Sequence, residues 1–360
     1  MFNVITVDAL AERTLRLCQI ASPIGEEGPL ADFVERWAGE HFAPGEIVRV
    51  GHSLVLGNLA DPRPGIALVG HLDTVPAHPG DPLPHRAAGR VVGLGSSDMK
   101  GGLAVMMALA ETLPRAELEV NPVWVLYERE EGPFTESGLG PLFDARPALR
   151  NLDFAIAMEP TDGEVQVGCV GSLHATLRFT GRSAHSARPW HGENAIHKAG
   201  PLLAELLVRP RREVDCGGFP FFEVMSVTKA GGGRARNVVP EAFELNLNYR
   251  FAPGRSLEAA QADVLELVAG RAEVTFTDLA PSGRVCADNP HFVRLREMTG
   301  LPATSKQAWT DVARLGEWGV DAVNFGPGET GQAHQAAESC DEAALLRAYE
   351  DLSRFLSSPL

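Results

Sequence analysis

The sequence predicts an α/β protein: a main domain built on a mixed, largely parallel sheet, interrupted by a smaller inserted α+β domain. Three observations carry this. Short, continuous apolar runs, "GIALVG" from Gly65, "VWVLY" from Val123 and "FAIAM" from Phe154, alternate with helical stretches. Such runs suit strands covered on both faces, and strands alternating with helices point to parallel pairing. From about Ser172 to Arg284 the pattern changes to period two, as in "LHATLRFTG" and "FELNLNYRFAP". That alternation means one covered and one open sheet face. After the insert, "DAVNFGPG" returns to buried-strand character. The boundaries are therefore placed at 1–172 with 285–360 for the main domain and at 173–284 for the insert.

In chain order, Asp8 reads as the N-cap of a first helix with Leu10, Thr14, Leu17 and Cys18 on one face. A second helix follows "SPIGEEGP", burying Leu30, Phe33, Val34 and Trp37. "DMKGGLAVMMALAETL" is apolar enough to be a buried helix, with Asp98 at its start. The insert reads as four antiparallel strands with two helices, "NAIHKAGPLLAELLV" and "LEAAQADVLELVAG", on one face. "CDEAALLRAYEDLSRFLSS" supplies a closing helix.

A net charge of −15 disfavours nucleic acid or an anionic membrane as a partner, because both need basic surface. The five cysteines are far apart and form no CxxC pair, which fits a reducing compartment rather than a disulfide framework. The N-terminal stretch carries acidic residues where a signal peptide needs a clean apolar core, and no run approaches the roughly 18 apolar residues of a membrane span. The expected location is the cytoplasm.

The polar residues gather at strand ends. "GIALVG" runs into His71 and Asp73, "VWVLY" into Glu128, Glu130 and Glu131, "FAIAM" into Glu159, and "AVNFG" leads through a glycine-rich loop to His334. Ligands of open α/β sheets bind outside the carboxyl ends of the strands. Each residue has a plain alternative. His71 and Asp73 could be a satisfied histidine and its partner, or a metal ligand and the carboxylate that fixes its tautomer. Asp98 could be a helix cap, or a carboxylate bridging two cations. Glu159 could be a turn residue and His334 a loop histidine. Convergence on one sheet edge favours the metal reading. Oxygen and nitrogen ligands without thiolate suit Zn²⁺, with Co²⁺ or Mn²⁺ as alternatives, in a catalytic site.

The motifs "GHLDTVP", "GSSDMKGG", "EREEGP", "MEPT", "GRSAHSARPWHGENAI", "GGGRARNVVPEAFELNLNYRFAP" and "GPGETGQAHQAAE" together resemble the successive signatures of the M20 peptidase family of co-catalytic zinc amidohydrolases. The narrower resemblance, carried by "AHSARPWHGENAIHK", "NLNYRFAP" and "WTDVARL…NFGPG", is to its succinyl-diaminopimelate desuccinylase branch, in the actinobacterial-type form. The resemblance implies a zinc-peptidase-like catalytic domain, a dimerisation or lid insert and a homodimer. It implies two Zn²⁺ ions, one held by His71, Asp98 and Glu159 and the other by Asp98, Glu131 and His334. Glu130 would be the general base, Asp73 would support His71, and His185 would reach the active site of the partner subunit to stabilise the oxyanion. Asn237, Arg250, Arg188, Thr310, Gly326 and Gly328 would meet the substrate, a small N-acyl amino acid. N-succinyl-LL-2,6-diaminopimelate is the expected one, with an N-acetylornithine deacetylase, an aminoacylase or a small carboxypeptidase as the alternative. The family also leads one to expect a non-proline cis peptide at Asp98–Met99.

Two departures stand out. Arg129 occupies the place where many family members have Asp. The turn "GCVGS" lacks an arginine expected to anchor a carboxylate, a role left to Arg188, Arg250 or Arg236.

Overall fold

A computed structural model describes residues 5–360. The chain divides into two compact units: residues 1–168, 286–304 and 310–360 make one, and 169–285 with 305–309 make the other.

The first unit is built on an eight-stranded sheet. Its order is Ile47–Val50, Ser53–Leu56, Asn121–Tyr127, Gly65–His71, Phe154–Ala157, Ala322–Asn324, Val165–Val167 and Ala303–Ser305. The four strands from Asn121–Tyr127 to Ala322–Asn324 run parallel. Antiparallel strands flank them on both sides. Every residue of Gly65–His71 and of Asn121–Tyr127 is buried, as strands covered on both faces require. Helix Gly101–Thr112, with ten buried residues of twelve, packs against helices Val7–Cys18 and Glu342–Ser357. Its close approach to the sheet needs glycine. A Cβ on Gly70 would stand 2.7 Å from Met99 Cε, and one on Gly102 would stand 2.5 Å from the Met158 carbonyl oxygen. A small sheet of His85–Ala87, Arg90–Val92 and Ser339–Asp341 brings the chain after His334 back beside Gly93.

Two local expectations change. The first helix is capped by Thr6, whose hydroxyl accepts from the Ala9 N–H at 3.2 Å, while Asp8 lies inside the first turn and pairs with Arg86. Thr6 wins because it stands just before the first helical residue with extended backbone, where its Oγ reaches the third N–H. Asp98 is not a helix cap: the helix starts at Gly101, and Asp98 and Met99 have non-helical backbone with a cis peptide between them.

In the second unit the antiparallel sheet has five strands rather than four: Arg212–Cys216, Phe219–Gly232, Ala242–Phe251, Gly171–Thr180 and Glu273–Ala280, in that order. The extra member is a solvated edge strand, "REVDC", turned back through Gly217 and Gly218. Its charges hide the strand pattern, since only Val214 and Cys216 are partly buried, against a small cluster around Phe221. Helices Ala195–Val208 and Leu257–Val268 cover one sheet face through Leu173, Ala175, Leu177, Phe179, Leu245 and Leu247. Strand Gly171–Thr180 is continuous across residue 172. All five cysteines are free, and among the described residues no helix is long and apolar enough to cross a membrane.

Candidate metal centre

Because the central strands are parallel, their carboxyl ends lie on one edge, and the side chains that follow them meet there. His71 closes its strand. The turn after Tyr127 carries Glu130 and Glu131, and the turn after Ala157 carries Glu159. Asp98 comes from the segment before helix Gly101–Thr112 and His334 from the loop after Asn324. Two triads have donor atoms within 4.8 Å of one another: His71, Asp98 and Glu159, and Asp98, Glu131 and His334. His71, Glu130 and Glu131 form a third such group. Asp98 belongs to both of the first two, and its two oxygens divide between them. Oδ1 is 3.2 Å from His71 Nε2, and Oδ2 is 3.7 Å from His334 Nε2. His334 Nε2 is also 2.9 Å from Glu131 Oε1.

The electrostatics fit cations. Burial works against a charged His71, but the carboxylates of Asp73 and Asp98 outweigh it and hold the ring well above its ordinary value. The hydrogen bond to Glu131 raises His334 to about 9. Protons thus sit where a divalent ion, which displaces protons from its ligands, would find two imidazoles and three carboxylates. The donor set matches a catalytic rather than a thiolate-rich structural site.

Asp73 does more than orient one ring. His71 Nδ1 lies 3.0 Å from the Asp73 main-chain oxygen, and the Asp73 carboxylate, 3.6 Å away, acts on the ring as a charge. That carboxylate instead accepts the N–H groups of Glu130 at 3.0 Å and Glu131 at 2.9 Å. It therefore fixes the turn that delivers both glutamates. Glu130 keeps some solvent exposure, yet desolvation of its carboxyl and the nearby Glu159 push its pKa well up. Glu128 supports the strand end by accepting the His52 N–H at 2.9 Å. Arg129 has left-handed backbone (φ 61°) and pairs with Glu136 at 2.7 Å, away from the candidate ligands.

Several supporting residues escaped the sequence reading. The buried Glu338 carboxylate accepts from the N–H groups of Gly95 (2.9 Å), Ser97 (2.8 Å) and Asp98 (2.8 Å). Burial is the main reason its pKa rises to about 7. Its only sequence signal is an acid inside the small-residue run "QAAESC". Tyr127 donates to Asp311 at 2.6 Å, Asp311 accepts from Arg314 at 2.7 Å, and Arg314 donates to the Phe134 carbonyl at 2.7 Å. This chain ties the strand before the glutamate turn to the loop after it. Tyr127 also sets its ring edge-on to His71, at 6.3 Å between centroids.

The expected substrate contacts are distributed differently. Thr310 is buried and donates its hydroxyl to Asn324 at 2.7 Å. Gly326 and Gly328 lie against the turn that carries Glu159, where any Cβ would strike main-chain atoms. The other residues belong to the second unit. His185 ends the two-residue strand Ala184–His185, paired with Val238–Val239, and its Nδ1 accepts from the Ala187 N–H at 3.0 Å. Asn237 lies beside it, its carbonyl accepting from Ser186 at 2.9 Å, and His185, Asn237 and Arg188 are all exposed. Arg250 lies near the end of strand Ala242–Phe251, where burial lowers its pKa.

Residues 67–358 match the model of peptidase family M20/M25/M40. The chain belongs to this family. Among curated M20 relatives, a Mycobacterium tuberculosis protein assigned as a succinyl-diaminopimelate desuccinylase is 37% identical over 96% of this chain and 97% of its own. The succinyl-diaminopimelate desuccinylase of Corynebacterium glutamicum is 34% identical over 93% and 94%. An acetylornithine deacetylase of Myxococcus xanthus is 30% identical over 86% and 83%. The fold is that of aminopeptidase PepT from Bacillus cereus, with a TM-score of 0.79, 19% identity and 98% of both chains covered.

Proposed function

We propose that this M20-family chain is a two-metal amide hydrolase that cleaves N-succinyl-LL-2,6-diaminopimelate to succinate and LL-2,6-diaminopimelate, working as a cytoplasmic homodimer. The observation that carries the chemistry is Asp98, whose two carboxylate oxygens each face a different histidine. The substrate rests on the similarity to desuccinylases over nearly the whole chain.

His71, Asp98 and Glu159 would hold one Zn²⁺, and Asp98, Glu131 and His334 the other. The bound pair supplies Lewis acidity to the amide carbonyl and the attacking water. Glu130 takes a proton from that water as its oxygen adds to the carbonyl carbon. It then gives the proton to the nitrogen as the C–N bond breaks, so that a carboxylate and an amine leave. A carboxyl whose pKa is raised by its surroundings is suited to holding that proton between the two steps. Asp73 keeps Glu130 and Glu131 in place through their N–H groups. His185 donates to the oxyanion in the active site of the partner subunit, and Asn237, Arg188 and Arg250 receive the substrate's polar ends, Arg250 taking a carboxylate. Thr310, Gly326 and Gly328 shape the pocket wall.

A second reading keeps the chemistry and changes the acyl group. The segment Gly168–Ser172 contains no arginine, which removes one anchor for a succinyl carboxylate and suits an acetyl substrate as well. A screen of zinc-loaded protein against N-succinyl-LL-2,6-diaminopimelate, N-acetylornithine and dipeptides decides between them. Amine release from the succinylated compound is expected. Turnover of acetylornithine alone would replace the first reading by the second.

A further inference from the structure

On the sheet face of the second unit opposite its two helices, polar side chains from three adjacent strands touch in a line. Arg250 Nε donates to Asn248 Oδ1 at 3.0 Å. Asn248 Nδ2 is 3.0 Å from His174 Nε2 and 3.3 Å from the Leu173 carbonyl. His174 Nδ1 is 3.1 Å from Asn246 Nδ2 as the amide is placed, and the same amide atom is 2.5 Å from Thr228 Oγ1. Asn248 and His174 are direct cross-strand partners, and Asn248 is buried.

We propose that Asn248 and His174 are positioning residues that aim the Arg250 guanidinium, and that they do so only while His174 carries a single proton, on Nδ1. This rests on the reading of Arg250 as a substrate-carboxylate contact.

Counting donors fixes the line. A guanidinium only donates, so the Asn248 atom facing Arg250 is its oxygen. The Leu173 carbonyl only accepts, so the atom facing it is the Asn248 nitrogen. That nitrogen also faces His174 Nε2, which must therefore be an unprotonated acceptor. The neutral ring then carries its proton on Nδ1, pointing at Asn246, whose facing atom has to be the amide oxygen. The Thr228 distance agrees: 2.5 Å is short for N–H···O and within the range for O–H···O. Amide orientations are set by the network they serve, and here one assignment gives each contact along the line one donor and one acceptor.

A second proton on Nε2 breaks the line. It would face the Asn248 nitrogen, and turning the amide to accept it would set that nitrogen against Arg250 Nε, donor against donor. Protonation of His174 therefore releases Arg250. Of the charged groups on the adjoining strands, Asp278 stands opposite His174, and Arg250 heads the line. Lys229 is in register with Asn246, and further along the face Arg178 and Glu244 pair with each other at 2.8 Å.

The test joins spectroscopy to kinetics on the zinc-loaded protein. In ¹⁵N-histidine NMR at pH 8, His174 is expected as the Nδ1–H tautomer, and an Nε2–H tautomer overturns the proposal whatever Arg250 does. With N-succinyl-LL-2,6-diaminopimelate, Asn248→Leu should raise KM about tenfold with kcat little changed, the loss of a hydrogen bond to a charged group. His174→Gln, whose side-chain oxygen can replace Nε2 as acceptor, should keep the low KM, whereas His174→Leu, which offers no acceptor, should raise it as Asn248→Leu does. A wild-type KM in both leucine variants, alongside a KM raised by Arg250→Ala, would overturn the proposal and leave the Arg250 reading intact. An unchanged KM in Arg250→Ala would sink that reading instead, and the tautomer would still judge the line.

Discussion

The two histidines of the candidate metal centre occupy opposite surroundings. The His71 side chain is 1% exposed, ends a fully buried central strand and is held on both ring nitrogens. The His334 side chain is 52% exposed and sits in a loop with left-handed backbone, with carboxylates as its ring partners. The first half is part of the sheet's core, whereas the second is brought by a loop and needs its partners to stay. Asp98 joins them, and Glu338 holds the main chain at Asp98 from behind. The lesson is that one half is prebuilt by folding and the other is completed on top of it.

The largest expected effect lies where the halves meet. Glu130→Gln should lower kcat about 1,000-fold, the range of general acid–base catalysis, with zinc content unchanged. Undiminished hydrolysis would remove Glu130 from its role. Next come the two histidines. His71→Ala leaves the buried Asp73 carboxylate with two main-chain N–H donors but without the charged ring beside it, and should cost about 3 kcal/mol of stability as well as activity, read by denaturant unfolding of the metal-free protein. His334→Ala should abolish activity with little change in that unfolding curve at about pH 9, where its ring no longer adds to stability. Equal destabilisation by both would erase the contrast. Glu338→Ala strips the acceptor from three N–H groups and should cost about 2 kcal/mol, with zinc affinity falling because Asp98 loses its support.

The centre was legible in the sequence wherever a ligand follows a strand. His71 and Glu159 stand at the ends of apolar runs and Glu131 in the turn that follows one, so topology alone sends them to one edge. Asp98 was ambiguous, because an aspartate before a helix reads equally as a cap; in the structure it stands before the helix without capping it, its two oxygens towards different histidines. Glu338 was invisible for a physical reason: it binds main-chain N–H groups, which leave no trace in side-chain pattern. The Asn248–His174 line was hidden likewise, since its members look like ordinary polar residues on an open sheet face. The edge strand Arg212–Cys216 was missed because only two of its five residues, Val214 and Cys216, turn inward, too short an alternation to reveal a strand.

The smallest effect is the share of the pH dependence that the exposed half contributes. Without metal, His334 is raised from 6.5 to about 9 by Glu131. Its contribution to stability is complete below about pH 6.5 and is lost as pH rises towards about 9, because the folded state keeps a proton that the unfolded chain releases. Thermal unfolding of metal-free protein should weaken over that window, and His334→Ala should flatten the slope.

The most direct test of the central claim is zinc stoichiometry after dialysis, measured on wild type, His334→Ala and Asp98→Ala. The account predicts two ions per chain in the wild type, one in His334→Ala, and loss from both positions in Asp98→Ala. Two ions retained without the Asp98 carboxylate would contradict it.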